Sequence, residues 1–357
     1  MEILHFLLYM LVYSISSFLV SFATLVNKKW LKITMVTLSI IFISVFASIR
    51  YGVGTDFFTY KNMYNDYSKM QLSEYIKNIS IYRVEPAFYI ISHISVNYSA
   101  LLFIYSIIIC FPLALIIAFK NKYWQTFFCA FIYLLFFFSV GLNALRQMAA
   151  VSICTISLYA LTKNKKITFL LLSFLAVMFH ITAIIILPLI FYKVITKEKY
   201  KKIIILLYII VMAMIPNVLY FLGGKYNEYL GGVKSTYNFS FIILFSLYIF
   251  FIIAEKRLCI ENQNYKFCLY LLLFALMFKF LAYFSIPISR LSLYFSVSIC
   301  YLIPYVIENI KINNRMILRT MCLVVCVCVF FLMYVVKKNS NIIPYRTIIG
   351  MEEENKK

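Results

Sequence analysis

The chain has 357 residues, of which 64% are hydrophobic, 19% aromatic and only 13% charged, with a mean hydropathy of +0.91. A soluble domain is nearer half apolar and a quarter charged, so this composition excludes a water-soluble globule and defines an all-α polytopic membrane protein. The formal charge of +21, from 34 Lys and Arg against 13 Asp and Glu, would mark a nucleic-acid binder in a soluble chain; here membrane topology is the first explanation to test.

A helix needs about twenty apolar residues to cross the hydrocarbon core. Runs of that size predict ten full spans, at 3–26, 31–49, 100–119, 124–140, 144–161, 203–222, 239–254, 267–284, 289–307 and 317–336. The first lacks the basic leader and small-residue cleavage site of a secretory signal, so it is expected to be retained. Residues 50–99 form an outer loop with partial membrane helices. Within it Tyr60, Met63, Tyr64 and Tyr67 recur at the helical i, i+3, i+4, i+7 spacing, and 86–96 is too short to span. The stretch 167–192 is too long for one upright helix and is interrupted at Phe179, His180 and Thr182, with Pro188 beyond. Lysines flank both its ends, so it is expected to enter and leave on one side as a helical hairpin with His180 near the tip. A glycine-rich outer loop at 223–238 and an outer C-terminal tail at 337–357, carrying NIIPYR, complete a single transmembrane domain over 1–357 with no internal repeat.

With each full span changing sides, the loops at 28–32, 120–122, 163–166, 193–202, 255–266 and 311–319 all fall in the cytoplasm and hold 19 of the 34 basic residues. Most of the positive charge is therefore an orientation signal, and nucleic acid drops out as a partner. Eight of the nine cysteines sit in apolar runs and none forms a CxxC pair, so they read as small hydrophobes rather than metal or redox groups. No metal site and no cofactor is expected.

Ionisable residues left at membrane depth or on the outer side are the candidates for chemistry. Arg50 precedes Gly52 and Gly54, which let the backbone turn beside a ligand while an arginine fork grips a phosphate. Arg146, in GLNALRQ, and Arg290 open the fifth and ninth spans on the same side and would suit a pyrophosphate; headgroup snorkelling is the bland alternative for each. Asp56 and Glu85 are the outer acids placed for general-base work, each near a cation (Arg50 and Arg83), although Glu85 also precedes Pro86 and competes as a helix N-terminal residue. His180 serves as a base or a hydrogen-bond donor, and Lys279 lies near the same end by topology. No nucleotide loop, GxSxG elbow or HExxH pair is present, so the substrate must bring its own energy.

The strings RYGVGTDFFTYKNMY, EPAFYIIS, LRQMAAVSI, VMFHITAIIILPL and NIIPYR, in that order, resemble the EpsG-like branch of the Wzy-type bacterial polysaccharide polymerases. The resemblance covers nearly the whole chain. It implies a multi-span membrane glycosyltransferase of the bacterial cytoplasmic membrane. Such an enzyme joins undecaprenyl-pyrophosphate-linked oligosaccharides into O-antigen, capsule or exopolysaccharide in a cavity facing outward, with membrane lipid and a chain-length regulator protein as partners. It also implies that Arg50, Gly52, Gly54, Asp56, Tyr60, Glu85, Arg146, His180, Pro344, Tyr345 and Arg346 belong to the family pattern. On physical grounds Asp56, Glu85 and His180 are the catalytic candidates. Arg50, Arg146, Arg290, Tyr60, Tyr64, Tyr345 and Arg346 are the substrate-binding ones, with Tyr67 also flanking the glycan. The rival expectations are a flippase of the same lipid-linked oligosaccharide and an outer-face acyltransferase or ligase.

Overall fold

The computed structural model describes residues 2–82, 84–118, 122–195, 239–281, 286–310 and 315–348. Eight helices there are long and apolar enough to cross a membrane: α1 (Glu2–Phe22), α2 (Lys29–Ser48), α6 (Tyr98–Ala118), α7 (Tyr123–Gly141), α8 (Leu145–Thr162), α11 (Gln263–Leu281), α12 (Arg290–Asn309) and α13 (Arg315–Val336). A further helix, α10 (Phe239–Arg257), is apolar until Glu255, Lys256 and Arg257 in its last turn. These match nine of the ten expected spans to within a few residues at each end. The tenth, 203–222, lies outside the described residues, as do the 223–238 loop, Arg83 and the tail beyond 348.

Burial separates the centre of the bundle from its periphery. In α7 and α8, 83% and 72% of the spanning residues are buried, against 11% in α13, whose Met316, Ile317, Met321, Val324 and Val325 are exposed to the lipid side. Lipid offers no hydrophobic drive between helices, so close approach and interhelical hydrogen bonds carry much of the packing. Serines do this here. Ser16 of α1 and Ser39 of α2 share a hydroxyl hydrogen bond of 2.6 Å, and Ser157 of α8 meets Ser173 of the following helix at 2.8 Å.

The interrupted stretch is two short helices. Helix α9 (Lys166–Phe179) ends at His180, whose extended backbone (φ −158°, ψ 122°) breaks the ladder, and a 3₁₀ helix follows over Ile181–Phe191. At 1.5 and 2.0 Å per residue the limbs are each roughly 20 Å long, short of the ~30 Å hydrocarbon core. They contact each other, and both contact α8.

The polar insertion after α2 is helical as well: α3 (Phe57–Tyr67), α4 (Leu72–Tyr82) and α5 (Pro86–Ile94). The expected amphipathic helix is α3 and the short partial element is α5; α4 was not anticipated. Tyr98 at the head of α6 donates to the Phe57 carbonyl (2.9 Å), and Tyr64 of α3 donates to the Ser95 carbonyl (3.0 Å), so the insertion is tied down on α6. Its last anchor is the far end of the chain. Residues 340–348 run along 49–55 through Tyr51 N to Arg346 O (2.9 Å), Gly54 N to Asn341 O (3.1 Å), Thr55 N to Ser340 O (3.0 Å) and Ile348 N to Ile49 O (3.1 Å).

Candidate functional site

Helices α7 and α8 are joined by the tight turn Leu142–Asn143–Ala144, which puts Arg146 in the first turn of α8. A cation there faces the positive end of the helix dipole, an unfavourable place on helix electrostatics alone. Glu85 offsets it: one of its carboxylate oxygens accepts a short hydrogen bond from Arg146 Nη1, forming an ion pair between side chains 12% and 20% exposed. Glu85 stands at the N-cap of α5 ahead of Pro86 yet makes no side-chain capping bond, so its carboxylate is committed across the interface and not to its own helix. Among the described residues the cation paired with Glu85 is Arg146, 61 residues away; Arg83, expected as its neighbour, lies outside the described residues.

Aromatic rings wall this pair. The Arg146 guanidinium lies 5.9 Å from the ring centres of both Tyr60 (α3) and Phe88 (α5), within cation–π range, and its buried Nε has no hydrogen-bond partner among the described residues. Burial raises the Tyr60 pKa while Arg146 pulls it down and Asp56 pushes it up, so these three groups share one field. Tyr105 of α6 packs its ring between Phe88 (6.1 Å) and Phe179 (5.9 Å) and leaves its buried hydroxyl without a hydrogen-bond partner among the described residues.

The break between the short helices reaches the same place. Burial holds the His180 pKa below its ordinary value; the Glu85 charge acts against that, and Arg146 and Arg290 act with it. His180 Nδ1 lies 2.8 Å from Thr182 Oγ1, which lies 2.8 Å from the Tyr294 hydroxyl on α12. Arg290, exposed in the first turn of α12, is tied to α8 through its carbonyl, which accepts from Gln147 Nε2 at 3.2 Å. Tyr60, Glu85, Arg146, His180 and Arg290, scattered over more than 200 residues, thus converge at one end of the bundle. Lys279 is half-buried in the last turn of α11.

Other expected site residues are used differently. Arg50 is 2% exposed; its Nη1 donates to the Ala47 carbonyl (2.7 Å) and its Nη2 to the Leu142 carbonyl (3.2 Å), so it braces α2 against the α7–α8 turn, while its buried Nε has no hydrogen-bond partner among the described residues. Gly54 has φ +97°, and a Cβ on it would meet the Leu142 carbonyl oxygen at 2.9 Å. Its close neighbour is therefore protein backbone, where a ligand was expected. Asp56 is half-buried in a turn held by Asn143, whose side-chain oxygen accepts from Asp56 N (2.9 Å) and Thr55 Oγ1 (2.8 Å). Tyr345 is buried, stacks on Phe46 (4.3 Å, 7°) and donates a short hydrogen bond to the Phe46 carbonyl, whereas Arg346 is exposed and engaged through its main chain. Tyr64 is spent on Ser95, and Tyr67 is core, edge-on to Phe88 (6.2 Å). Tyr294, Tyr105 and Asn143 were not singled out from sequence, and Thr182 was named only as an interruption of its stretch. Thr182 follows His180 by two residues in FHIT, the one local signal available.

Fold and site together describe a multi-pass, all-α membrane protein with a charged, aromatic-walled cluster at one end of its helical bundle. The model of the EpsG family matches residues 33–347, so the chain belongs to that family of polysaccharide polymerase-like membrane proteins. No curated protein and no solved structure matches it.

Proposed function

We propose that the protein is a membrane glycosyltransferase that joins undecaprenyl-pyrophosphate-linked oligosaccharide repeat units into a surface polysaccharide at the outer face of the bacterial cytoplasmic membrane. The observation that carries this reading is the meeting of a carboxylate (Glu85), an arginine with spare donors (Arg146), an exposed arginine (Arg290) and His180 at one end of the bundle. A second feature supports it. An almost wholly apolar cavity of about 100 Å³, lined by Leu115, Tyr133, Leu158, Phe267, Leu271 and Tyr301 among others, extends from Tyr294, the residue whose hydroxyl reaches Thr182 and His180. An apolar slot beside a cationic cluster suits an amphiphile with a hydrocarbon tail and an anionic head.

In this reading the acceptor hydroxyl oxygen bonds to the donor's anomeric carbon as the bond from that carbon to the pyrophosphate oxygen breaks. The hydroxyl proton passes to Glu85, whose second oxygen Arg146 does not occupy, and the leaving electron pair stays on the pyrophosphate, where Arg146 and Arg290 stabilise it. Asp56, set in the Asn143 turn, becomes the less favoured base. Tyr60 and Phe88 present ring faces for the sugar. The leaving group carries the driving force, so no nucleotide is needed.

The test is deletion in the host followed by gel analysis of the surface glycan, with a chain-length regulator left in place. Loss of this enzyme leaves a single repeat unit on its carrier. A surviving full ladder overturns the polymerase reading, and complete loss of surface glycan would instead mark a flippase.

A further inference from the structure

The hydrogen bonds around His180 fix which of its ring nitrogens carries the proton. The main-chain N–H of Thr182 donates to His180 Nδ1 at 3.4 Å, and a backbone amide can only donate. A protonated Nδ1 would oppose that N–H donor to donor, leaving both groups half-buried and poorly paired. Nδ1 is therefore the acceptor in the neutral ring. Thr182 Oγ1, 2.8 Å from the same nitrogen, must then give its own proton to Nδ1, which frees its lone pairs for the Tyr294 hydroxyl 2.8 Å away. The chain of donors has one direction: Tyr294 O–H to Thr182 Oγ1, Thr182 O–H to His180 Nδ1. Tyr294 is held in turn, being 1% exposed on α12. His180 Nε2 has no hydrogen-bond partner among the described residues, in a place where the Glu85, Arg146 and Arg290 charges are all felt.

From this geometry we propose that Thr182 and Tyr294 are positioning residues that lock His180 as its Nε2–H tautomer, so that it serves the cluster as a hydrogen-bond donor to an anionic oxygen and not as the general base. The proposal rests on the polymerase reading only for the identity of that oxygen, the bridging or terminal oxygen of a pyrophosphate. The tautomer stands on the hydrogen bonds alone. No proton is consumed: the ring donates and keeps Nε2–H, and the proton of the acceptor hydroxyl goes to the carboxylate as above.

The direct test is the nitrogen spectrum of the full-length protein, labelled at the ring nitrogens of its three histidines, with His180 assigned by its loss in His180→Gln. At pH 7.5 the expected spectrum shows His180 Nδ1 at the unprotonated position and Nε2 at the protonated one. A protonated Nδ1 overturns the proposal. Thr182→Val removes the 2.8 Å hydroxyl donor at nearly constant shape and leaves Nδ1 only the long 3.4 Å main-chain N–H, too weak alone to hold one tautomer, so a mixture is expected, and Thr182→Ser is expected to restore the single one; a Thr182→Val spectrum identical to wild type overturns the positioning role. With the lipid-linked substrate, Thr182→Val should lower polymer formation about tenfold through kcat with KM little changed, Tyr294→Phe less, and Thr182→Ser should recover it. If the spectra behave as expected while His180→Gln leaves the glycan ladder intact, the relay stands and the polymerase reading of this cluster falls.

Discussion

Two arginine–glutamate pairs sit at opposite ends of α7, a helix of roughly 28 Å at 1.5 Å per residue, and they differ in completeness. At one end Arg319 of α13 places Nε and Nη2 on the two oxygens of Glu308, 2.8 Å each, with its guanidinium 5.3 Å from the Trp124 ring centre. At the other, Arg146 gives Glu85 one nitrogen and, among the described residues, keeps a buried Nε unpaired beside two aromatic rings. Exposure does not separate them, since the arginines are 21% and 20% exposed. Satisfaction does. The Glu308 pair is a closed fork that ties α12 to α13, whereas the Glu85 pair leaves both donor and acceptor capacity over at the end of the bundle where His180 and Arg290 meet it, which a site for an anionic substrate needs.

The contrast breaks most sharply on activity. Arg146→Ala should cut polymer formation on the order of 10³-fold, the usual scale for losing a group that stabilises developing negative charge, with protein level in the membrane kept. A ladder of normal length would return Arg146 to a packing role. Glu308→Ala should do the reverse. Leaving Arg319 unpaired costs on the order of 3 kcal/mol, read as a lower melting point in detergent, while activity per folded molecule stays near wild type; replacing both partners by leucine should recover much of the stability. Gly54→Ala tests the seam beside the open pair: a strained φ and the Leu142 carbonyl oxygen make a loss of about 2 kcal/mol the expectation, and an unchanged melting point would show that the seam gives way freely. Smallest is Tyr60→Phe, which keeps the ring face and removes the hydroxyl. A severalfold loss of activity is expected, and a loss as large as that of Arg146→Ala would make the phenol, and not the ring, the working part.

Much of this was legible in one dimension. The eight long apolar helices, the break at His180, the amphipathic α3 and the short α5 follow from runs, periods and interruptions, because each reports how a local segment meets lipid or water. Arg146, Glu85 and Arg290 were marked because ionisable groups are costly near the membrane core. The residues whose contacts differ from expectation share a cause. Arg50, Gly54 and Tyr345 carry the same residue types a ligand site would use, yet here they bind the chain to itself, and only packing distinguishes an arginine on a phosphate from an arginine on two carbonyls. RYGVGT and NIIPYR, nearly three hundred residues apart, looked like separate pieces of a site and prove to be partners along one backbone seam.

Composition, hydropathy and the bias of lysine and arginine among the loops thus determine by themselves that this is a polytopic helical membrane protein, and motif order marks its family, because those signals are sums over local interactions with solvent and lipid. Which arginine is satisfied and which is spare was decided only by tertiary structure. A guanidinium has five donors and no memory of sequence distance; what it does depends on the carbonyl, carboxylate or ring that the fold brings within 3 to 6 Å of it.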